Sequence, residues 1–175
     1  MRMHFDFLVG CSPAHYFVCS NRRTGRRTGR KPITLAVLGF LIVACDTSGP
    51  DVRAIDPDTG RWYGNELRNQ GEAVFTANCA SCHGGQAQGL AEDWRARQAD
   101  GSFPPPPLNG SAHAWHHPLS VLLQVIDEGG TALGGNMPGF ASQLNRQEKL
   151  AAIAYFQDFW SDDIYAQWQQ MGGTD

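Results

Sequence analysis

The chain contains one short pattern of residues that can bind a redox cofactor. Cys79, Cys82 and His83 lie in the run Cys-Ala-Ser-Cys-His, which is the C-x-x-C-H pattern of covalent haem attachment. Two thiols three residues apart can reach the two vinyl groups of one porphyrin, and the adjacent imidazole can bind the iron as proximal ligand. The spacing therefore predicts one covalent haem c bound by these three residues.

A C-x-x-C pair also occurs in two other kinds of site. A thioredoxin-like dithiol would need a preceding strand and a parallel sheet, and the sequence around Cys79 has neither pattern. A zinc site would need two further ligands, which three downstream histidines could supply. His113, His116 and His117 also leave open a second axial haem ligand or an independent copper or zinc site.

A methionine is the best candidate for the second axial ligand of the iron. Met137 lies in the run Gly-Gly-Asn-Met-Pro-Gly-Phe, where the proline stiffens the backbone and the glycines allow a close approach to a flat ring. Met171 lies in a glycine-rich tail. Thioether ligation raises the reduction potential relative to ligation by two imidazoles. We therefore predict that His83 and Met137 bind the iron.

Three helices are predicted around these residues, at 66–80, 119–128 and 146–161. Apolar residues recur at helical spacing in each, and Asn145 with Glu148 forms a capping-box pattern before the third. Residues 84–118 are rich in glycine and proline and include four consecutive prolines, which favours irregular loops. The predicted fold class is mainly α.

The first 44 residues have the pattern of an export signal. A basic stretch at 22–31 precedes the apolar run 33–44, whose twelve residues are fewer than the about 20 that a membrane-spanning helix needs. The run Ile-Val-Ala-Cys that ends at Cys45 resembles a bacterial lipobox, which implies cleavage before Cys45 and its lipidation. Ordinary cleavage beside an incidental cysteine is the alternative. Asp46 resembles the signal that retains lipoproteins in the inner membrane.

The composition divides the chain into four segments: a leader at 1–44, a flexible tether at 45–61, a folded domain at 62–170 and a tail at 171–175. After cleavage the chain carries 7 basic and 16 acidic residues, a formal charge of −9 with neutral histidines. This charge disfavours nucleic-acid binding and favours a redox partner with a positive docking surface.

Residues 66–160 resemble the class I, mitochondrial-type monohaem cytochromes c. The matching features are Gly71 and Phe75 before the haem motif, a Pro-Leu step at 107–108, a Met-Pro pair at 137–138 and an aromatic C-terminal helix. The resemblance implies a cytochrome c fold, with three to four helices and glycine- and proline-rich loops around one haem.

The same resemblance implies roles for individual residues. The first and last helices are expected to cross at Gly71 and at Tyr155 or Phe156. The carbonyl of Pro107 is expected to accept a hydrogen bond from the Nδ1–H of His83, which would orient the imidazole.

The function that the resemblance implies is electron transfer between a donor and an acceptor protein, without enzymatic activity of its own. The export signal, the lipobox-like run and Asp46 predict that it works on the periplasmic side of the inner membrane, where a lipid anchor holds it. One alternative is a haem enzyme or sensor that binds gases or peroxide because Met137 is labile. Another is a haem docking subunit of a respiratory oxidase or dehydrogenase, with a partner surface formed by Trp160, Tyr165 and Trp168.

Overall fold

The computed structural model describes Gly49 and residues 51–175. The predicted leader, the predicted lipidation site Cys45 and the start of the predicted tether lie outside the described residues. The described part contains five α-helices and no β-strand: α1 (Asn65–Asn78), α2 (Ala80–His83), α3 (Leu119–Glu128), α4 (Arg146–Gln157) and α5 (Asp162–Gln170). The predicted mainly helical fold class is confirmed, with one more helix than the upper number expected.

None of the helices in this described part combines the length and the hydropathy that crossing a membrane requires.

Helices α1 and α4 pack against each other at a glycine. A Cβ atom placed on Gly71 would lie 1.9 Å from the carbonyl oxygen of Ala151 and 3.0 Å from Cβ of Tyr155, so no larger residue fits. The rings of Phe75 and Tyr155 lie 5.2 Å apart beside this contact. The resemblance predicted that two helices, here α1 and α4, cross at Gly71 and at Tyr155 or Phe156. The contact of Gly71 with Tyr155 confirms this crossing.

The predicted first helix is divided in two at Cys79. Its φ and ψ of −120° and −35° depart from helical geometry, and its amide still donates to the carbonyl of Phe75. Helix α1 therefore ends at Asn78, and α2 begins one residue after Cys79. This bend separates the haem motif from the helix that precedes it.

Helix α4 begins where the capping box was predicted. The side chain of Asn145 accepts from the amide of Glu148, and the Glu148 carboxylate accepts from the amide of Asn145. The helix ends at Gln157, four residues before the predicted end, because Ser161 caps a new helix by accepting from the amide of Ile164. The sequence analysis missed this helix, α5.

The C-terminal aromatic residues are part of the core. The proposed partner surface is wrong, because its three members are 2%, 4% and 1% exposed: Trp160, Tyr165 and Trp168. Their polar atoms are used internally. Trp160 donates through Nε1 to the carbonyl of Leu108 at 2.7 Å, and Trp168 donates to that of His117 at 2.8 Å.

Both ends of the domain are tied to its interior. Residues 56–61, which the sequence assigns to the tether, form a hydrogen-bonded turn in which the hydroxyl of Thr59 donates to the carbonyl of Tyr63 at 2.6 Å. In the tail, the carbonyl of Gly173 accepts from the amide of Leu119, the first residue of α3.

Candidate functional site

The three residues of the haem motif lie within one helical turn. The amides of Cys82 and His83 both donate to the carbonyl of Cys79, at 3.1 and 2.9 Å. The two cysteines are not bonded to each other, and Cys79 is half-buried whereas Cys82 is exposed. The turn therefore holds two free thiols and an imidazole close together, as two thioether bonds and an axial ligand on one porphyrin require.

The pKa of the Cys79 thiol argues against a dithiol redox centre. Burial, and secondarily the charge of Cys82, raises the pKa of Cys79 to about 11. Reactive cysteines of thioredoxin-like sites have a pKa below the ordinary value, because the thiolate is the nucleophile. A thiol that stays protonated at neutral pH is a poor attacking group, so the dithiol alternative loses its support.

A single hydrogen bond fixes the tautomer of His83. Its Nδ1 lies 2.8 Å from the carbonyl oxygen of Pro106, and because a carbonyl only accepts, Nδ1 must carry the proton. The neutral ring then keeps its lone pair on Nε2, the atom available to a metal. The side chain is 6% exposed, and burial lowers the pKa of His83, with the Pro106 carbonyl acting in the opposite direction. The imidazole is thus kept neutral and oriented, as a proximal ligand needs.

The resemblance implied that the carbonyl of Pro107 orients His83, and this prediction is wrong. The carbonyl that accepts from Nδ1 of His83 is that of Pro106. Successive carbonyls of an extended proline run point in different directions, so only one of them can reach Nδ1. Pro107 instead packs on Gly89, where an added Cβ would lie 3.1 Å from the proline ring. Directly after Pro107, the amide of Leu108 donates to the carbonyl of Ala87 at 2.7 Å.

The loop that follows the motif is supported by α4. The amide of Gly89 donates to the carbonyl of His83 at 2.7 Å, which folds the chain back on the histidine. The hydroxyl of Tyr155 donates to the carbonyl of Gly85 at 2.9 Å. The residue at the crossing of α1 and α4 therefore also holds the segment next to the predicted proximal ligand.

The segment 129–140, which we call the Met137 loop, packs against the end of α3. The amide of Gly130 donates to the carbonyl of Met137 at 2.9 Å. A Cβ on Gly129 would lie 2.5 Å from that same carbonyl, and one on Gly139 would lie 2.5 Å from the carbonyl of Asp127. The loop needs these two glycines because backbone approaches backbone there.

The Met137 loop also runs beside the segment that carries Pro106. The amide of Phe103 donates to the carbonyl of Gly134 at 2.8 Å, in an isolated parallel bridge between Phe103 and Gly135. The amide group of Asn136 donates to Oγ of Ser102 at 2.9 Å and to a carboxylate oxygen of Asp100 at 3.1 Å. The backbones that carry the two predicted axial ligands are thus cross-linked by hydrogen bonds.

The two candidate methionines differ in their surroundings. Met137 is half-buried within this bonded loop, whereas Met171 is 52% exposed at the C-terminal end of α5. The structure therefore gives Met137, and not Met171, the fixed setting that a ligand requires.

The described residues fit a covalently attached haem. The two thiols are free, and Nε2 of the buried His83 ring is unprotonated. The half-buried thioether of Met137 lies in a loop that is hydrogen-bonded to the segment that carries Pro106. Cys79 and Cys82 would attach the porphyrin, and His83 and Met137 would supply one nitrogen and one sulfur ligand.

The three downstream histidines pack among aromatic rings. His113 stacks on Trp94 with ring centroids 5.1 Å apart, and His116 lies 3.8 Å from the ring of Trp115. His113 and His117 meet edge to face at 5.5 Å. In the part of the chain that the structure describes, no group of three or more His, Cys, Asp or Glu residues is arranged to hold a metal ion. The independent metal site is therefore without structural support.

Sequence reasoning missed several residues of this site. Asp100, Ser102 and Asn136 form a hydrogen-bonded group in which Asn136 lies more than thirty residues from the other two in the chain. The Asp-Gly-Ser run indicates a local turn, but nothing in it indicates the partner. The prediction named Pro107 instead of Pro106, because the four consecutive prolines are identical and the sequence does not show which carbonyl faces His83.

Comparison with known proteins yields one match. The family model described as cytochrome c oxidase, cbb3-type, subunit III matches residues 66–156, from the second residue of α1 to the last but one residue of α4. No curated protein and no solved structure matches the chain.

Proposed function

Because the chain belongs to the family of cytochrome c oxidase, cbb3-type, subunit III, we propose that it binds one covalent haem through Cys79 and Cys82 and transfers single electrons. Its cytochrome c domain is of a kind that performs haem-based electron transfer. The observation that carries the proposal is the free C-x-x-C-H turn, with Nδ1 of His83 committed to the carbonyl of Pro106.

The proposed ligands are His83 and Met137. When bound, a haem supplies reversible one-electron cycling of its iron between the ferrous and ferric states. The chain's own part is to keep the surroundings constant during that change. The carbonyl of Pro106 holds the imidazole, and the amides of Gly130 and Phe103 hold the carbonyls of Met137 and Gly134. A fixed ligand set favours an electron carrier over the gas- or peroxide-binding alternative.

Covalent attachment is tested on protein from a host that matures c-type cytochromes. We expect a pyridine haemochrome spectrum for a haem with two thioether bonds, and a peptide containing residues 79–83 heavier by one haem. Cys79→Ser and Cys82→Ser should each leave a single bond, whereas Cys45→Ser should leave both. A wild-type peptide of unmodified mass would refute the proposal.

Electron transfer itself is tested by redox titration. We expect one reversible one-electron wave, with the same six-coordinate type of spectrum before and after cycling. Carbon monoxide should bind the ferrous protein weakly at neutral pH if Met137 stays bound. Rapid and complete formation of a carbon monoxide complex would instead favour the alternative with a labile methionine.

A second candidate function is a haem subunit of an oxidase complex. The family description names an oxidase subunit, which is the observation that favours it. Stoichiometric co-purification with an oxidase after mild detergent extraction would support this role. Recovery of the chain alone, with full redox activity towards small carriers, would support a free electron carrier.

We further propose a lipid anchor at Cys45 and a location on the periplasmic side of the inner membrane. The support comes from the basic stretch, the short apolar run and the lipobox-like residues before Cys45. Wild-type protein should fractionate with membranes and carry fatty acid, and Cys45→Ser should be released in soluble form. Equal membrane association of both proteins would contradict the anchor.

A further inference from the structure

The last turn of α3 is joined to α4 by an ion pair. Nζ of Lys149 contacts a carboxylate oxygen of Asp127. The Lys149 residue is 7% exposed. Among the lysine, arginine, aspartate and glutamate residues that the structure describes, it is the only buried one. A buried cation needs a partner, because leaving it unpaired away from water is costly. Asp127 is that partner, so the pair fixes the position of the last turn of α3.

The same turn of α3 carries the far end of the Met137 loop. Gly139 lies against it so closely that a Cβ there would be 2.5 Å from the carbonyl of Asp127. The next amide, that of Phe140, donates to the carbonyl of Ile126 at 2.8 Å. The near end is held by this turn too, because the amide of Gly129 donates to the carbonyl of Val125 at 2.9 Å. Both ends of the loop therefore depend on where this turn lies.

Helix α4 provides a fixed frame for the pair. It is buried along most of its length, and its backbone meets α1 at Gly71. Lys149 thus connects α4, which is buried along most of its length, to α3, which the Met137 loop follows. We propose that the ion pair of Lys149 and Asp127 is a positioning device that keeps Met137 within bonding distance of the haem iron. This inference rests on the proposed function, since it assumes that Met137 is the ligand.

The test replaces Asp127 by asparagine, which keeps the shape of the side chain and removes its charge. The uncompensated lysine should then shift towards water and displace the end of α3. We expect the ferric holoprotein to bind added imidazole at least about tenfold more tightly, which corresponds to about 1.4 kcal/mol of lost loop stability. Its reduction potential should also fall at saturating imidazole.

The chain offers a matched control in a second ion pair. Arg68 contacts Asp158 at 2.9 Å and joins α1 to the end of α4, and neither residue belongs to α3 or to the Met137 loop. The side chains of Asp158 and Asp127 are 40% and 41% exposed, so the two carboxylates are equally accessible. Asp158→Asn should leave imidazole affinity within about twofold of the wild-type value, even if it lowers the denaturation midpoint.

Two further variants separate the possible outcomes. Lys149→Met removes the cation while keeping an apolar stem, so it should restore a weaker imidazole affinity when added to Asp127→Asn. If Asp127→Asn and Asp158→Asn shift the denaturation midpoint alike and leave imidazole affinity unchanged, the pair is only structural and the inference is wrong. Met137→Ala shows which premise failed. If it too leaves spectrum and imidazole affinity unchanged, the assignment of Met137 as ligand is wrong and this inference falls with it.

Discussion

The two segments that carry the predicted iron ligands, α2 and the Met137 loop, are built differently. On the histidine side, the ligand is itself buried, and one carbonyl, that of Pro106, holds its ring. On the methionine side, the ligand is half-buried, and the contacts that hold it act on the backbone of Met137 and its neighbours, through close glycine contacts and hydrogen bonds from Gly130 and Phe103. Exposure continues along that loop, where Leu133 is 67% exposed.

This difference indicates where the ligand set is strong and where it is adjustable. A buried ring leaves its position only if the core opens, so the His83 side should move with global unfolding. A loop fixed by a few exposed hydrogen bonds can open by itself at a lower cost in free energy. We therefore expect exchange of iron ligands to occur at Met137, and each variant below changes one side of this comparison.

The largest expected effect comes from removing each ligand in turn. Met137→Ala should keep the covalent haem and its histidine ligand while opening one axial position. His83→Ala should lose the low-spin spectrum and most of the holoprotein, because it also leaves the carbonyl of Pro106 without its donor, at a cost of about 1–3 kcal/mol. Covalent haem per protein and the absorption spectrum measure both. Equal losses in the two variants would contradict the asymmetry.

A glycine on each side allows the next comparison. Gly129 has a φ of +84° and no room for a Cβ, whereas Gly85 has open space around it. Gly129→Ala should cost about 1–3 kcal/mol of backbone strain and displace the carbonyl of Met137, which should weaken sulfur ligation. Gly85→Ala should leave the spectrum unchanged. Imidazole titration of both ferric proteins checks this, and a comparable response at Gly85 would show that the histidine side is equally adjustable.

A smaller effect is expected from the side chain next to Met137. Asn136→Ala removes hydrogen bonds to Ser102 and Asp100, each with a net value of about 0.5–1.5 kcal/mol. Imidazole affinity should rise roughly fivefold, with little change in the denaturation midpoint. Asn69→Ala, at an exposed site in α1, is the control for asparagine loss. A fall in the midpoint without a change in affinity would make Asn136 a general stabiliser.

The smallest effect should appear in acid. Hydrogen bonds from the side chain and backbone of Ser102 hold the pKa of Asp100 below 3.8. The folded loop thus favours the charged carboxylate, and this contribution is full above pH 3.8 and lost as the pH falls through the lowered pKa. Wild-type and Asp100→Asn proteins should differ in sulfur-ligated ferric fraction from pH 7 to 5 and converge only as the pH falls below the lowered pKa of Asp100. A difference that persists in acid would remove Asp100 from this role.

Local signals in the sequence predicted the parts of the fold that depend on neighbours in the chain. The bounds of α3 match the prediction at both ends, and α4 starts at the predicted cap, because apolar spacing and Asn145 are local features. Gly71 was located through resemblance, and the closeness of Ala151 explains why a glycine is required there.

The parts that were not predicted depend on distant partners. The C-terminal aromatics have a helical spacing that fits either a surface or a core, and only their bonds to Leu108 and His117 decide the matter. The same holds for Lys149, whose type predicts exposure and whose partner lies in another helix. Contacts of this kind form only when distant segments of the chain pack together, and the spacing of residues in the sequence does not indicate them.

The contact between Gly71 and Ala151 also imposes an order on biogenesis. A chain that emerges from its N-terminus, on the ribosome or during the proposed export, presents Cys79 and Cys82 before α4, the helix on which α1 packs. Until α4 follows, Phe75 has no Tyr155 to cover it, and the two thiols belong to an open segment that an enzyme attaching the proposed haem would reach. This interval ends when α4 packs on α1 and Tyr155 covers Phe75.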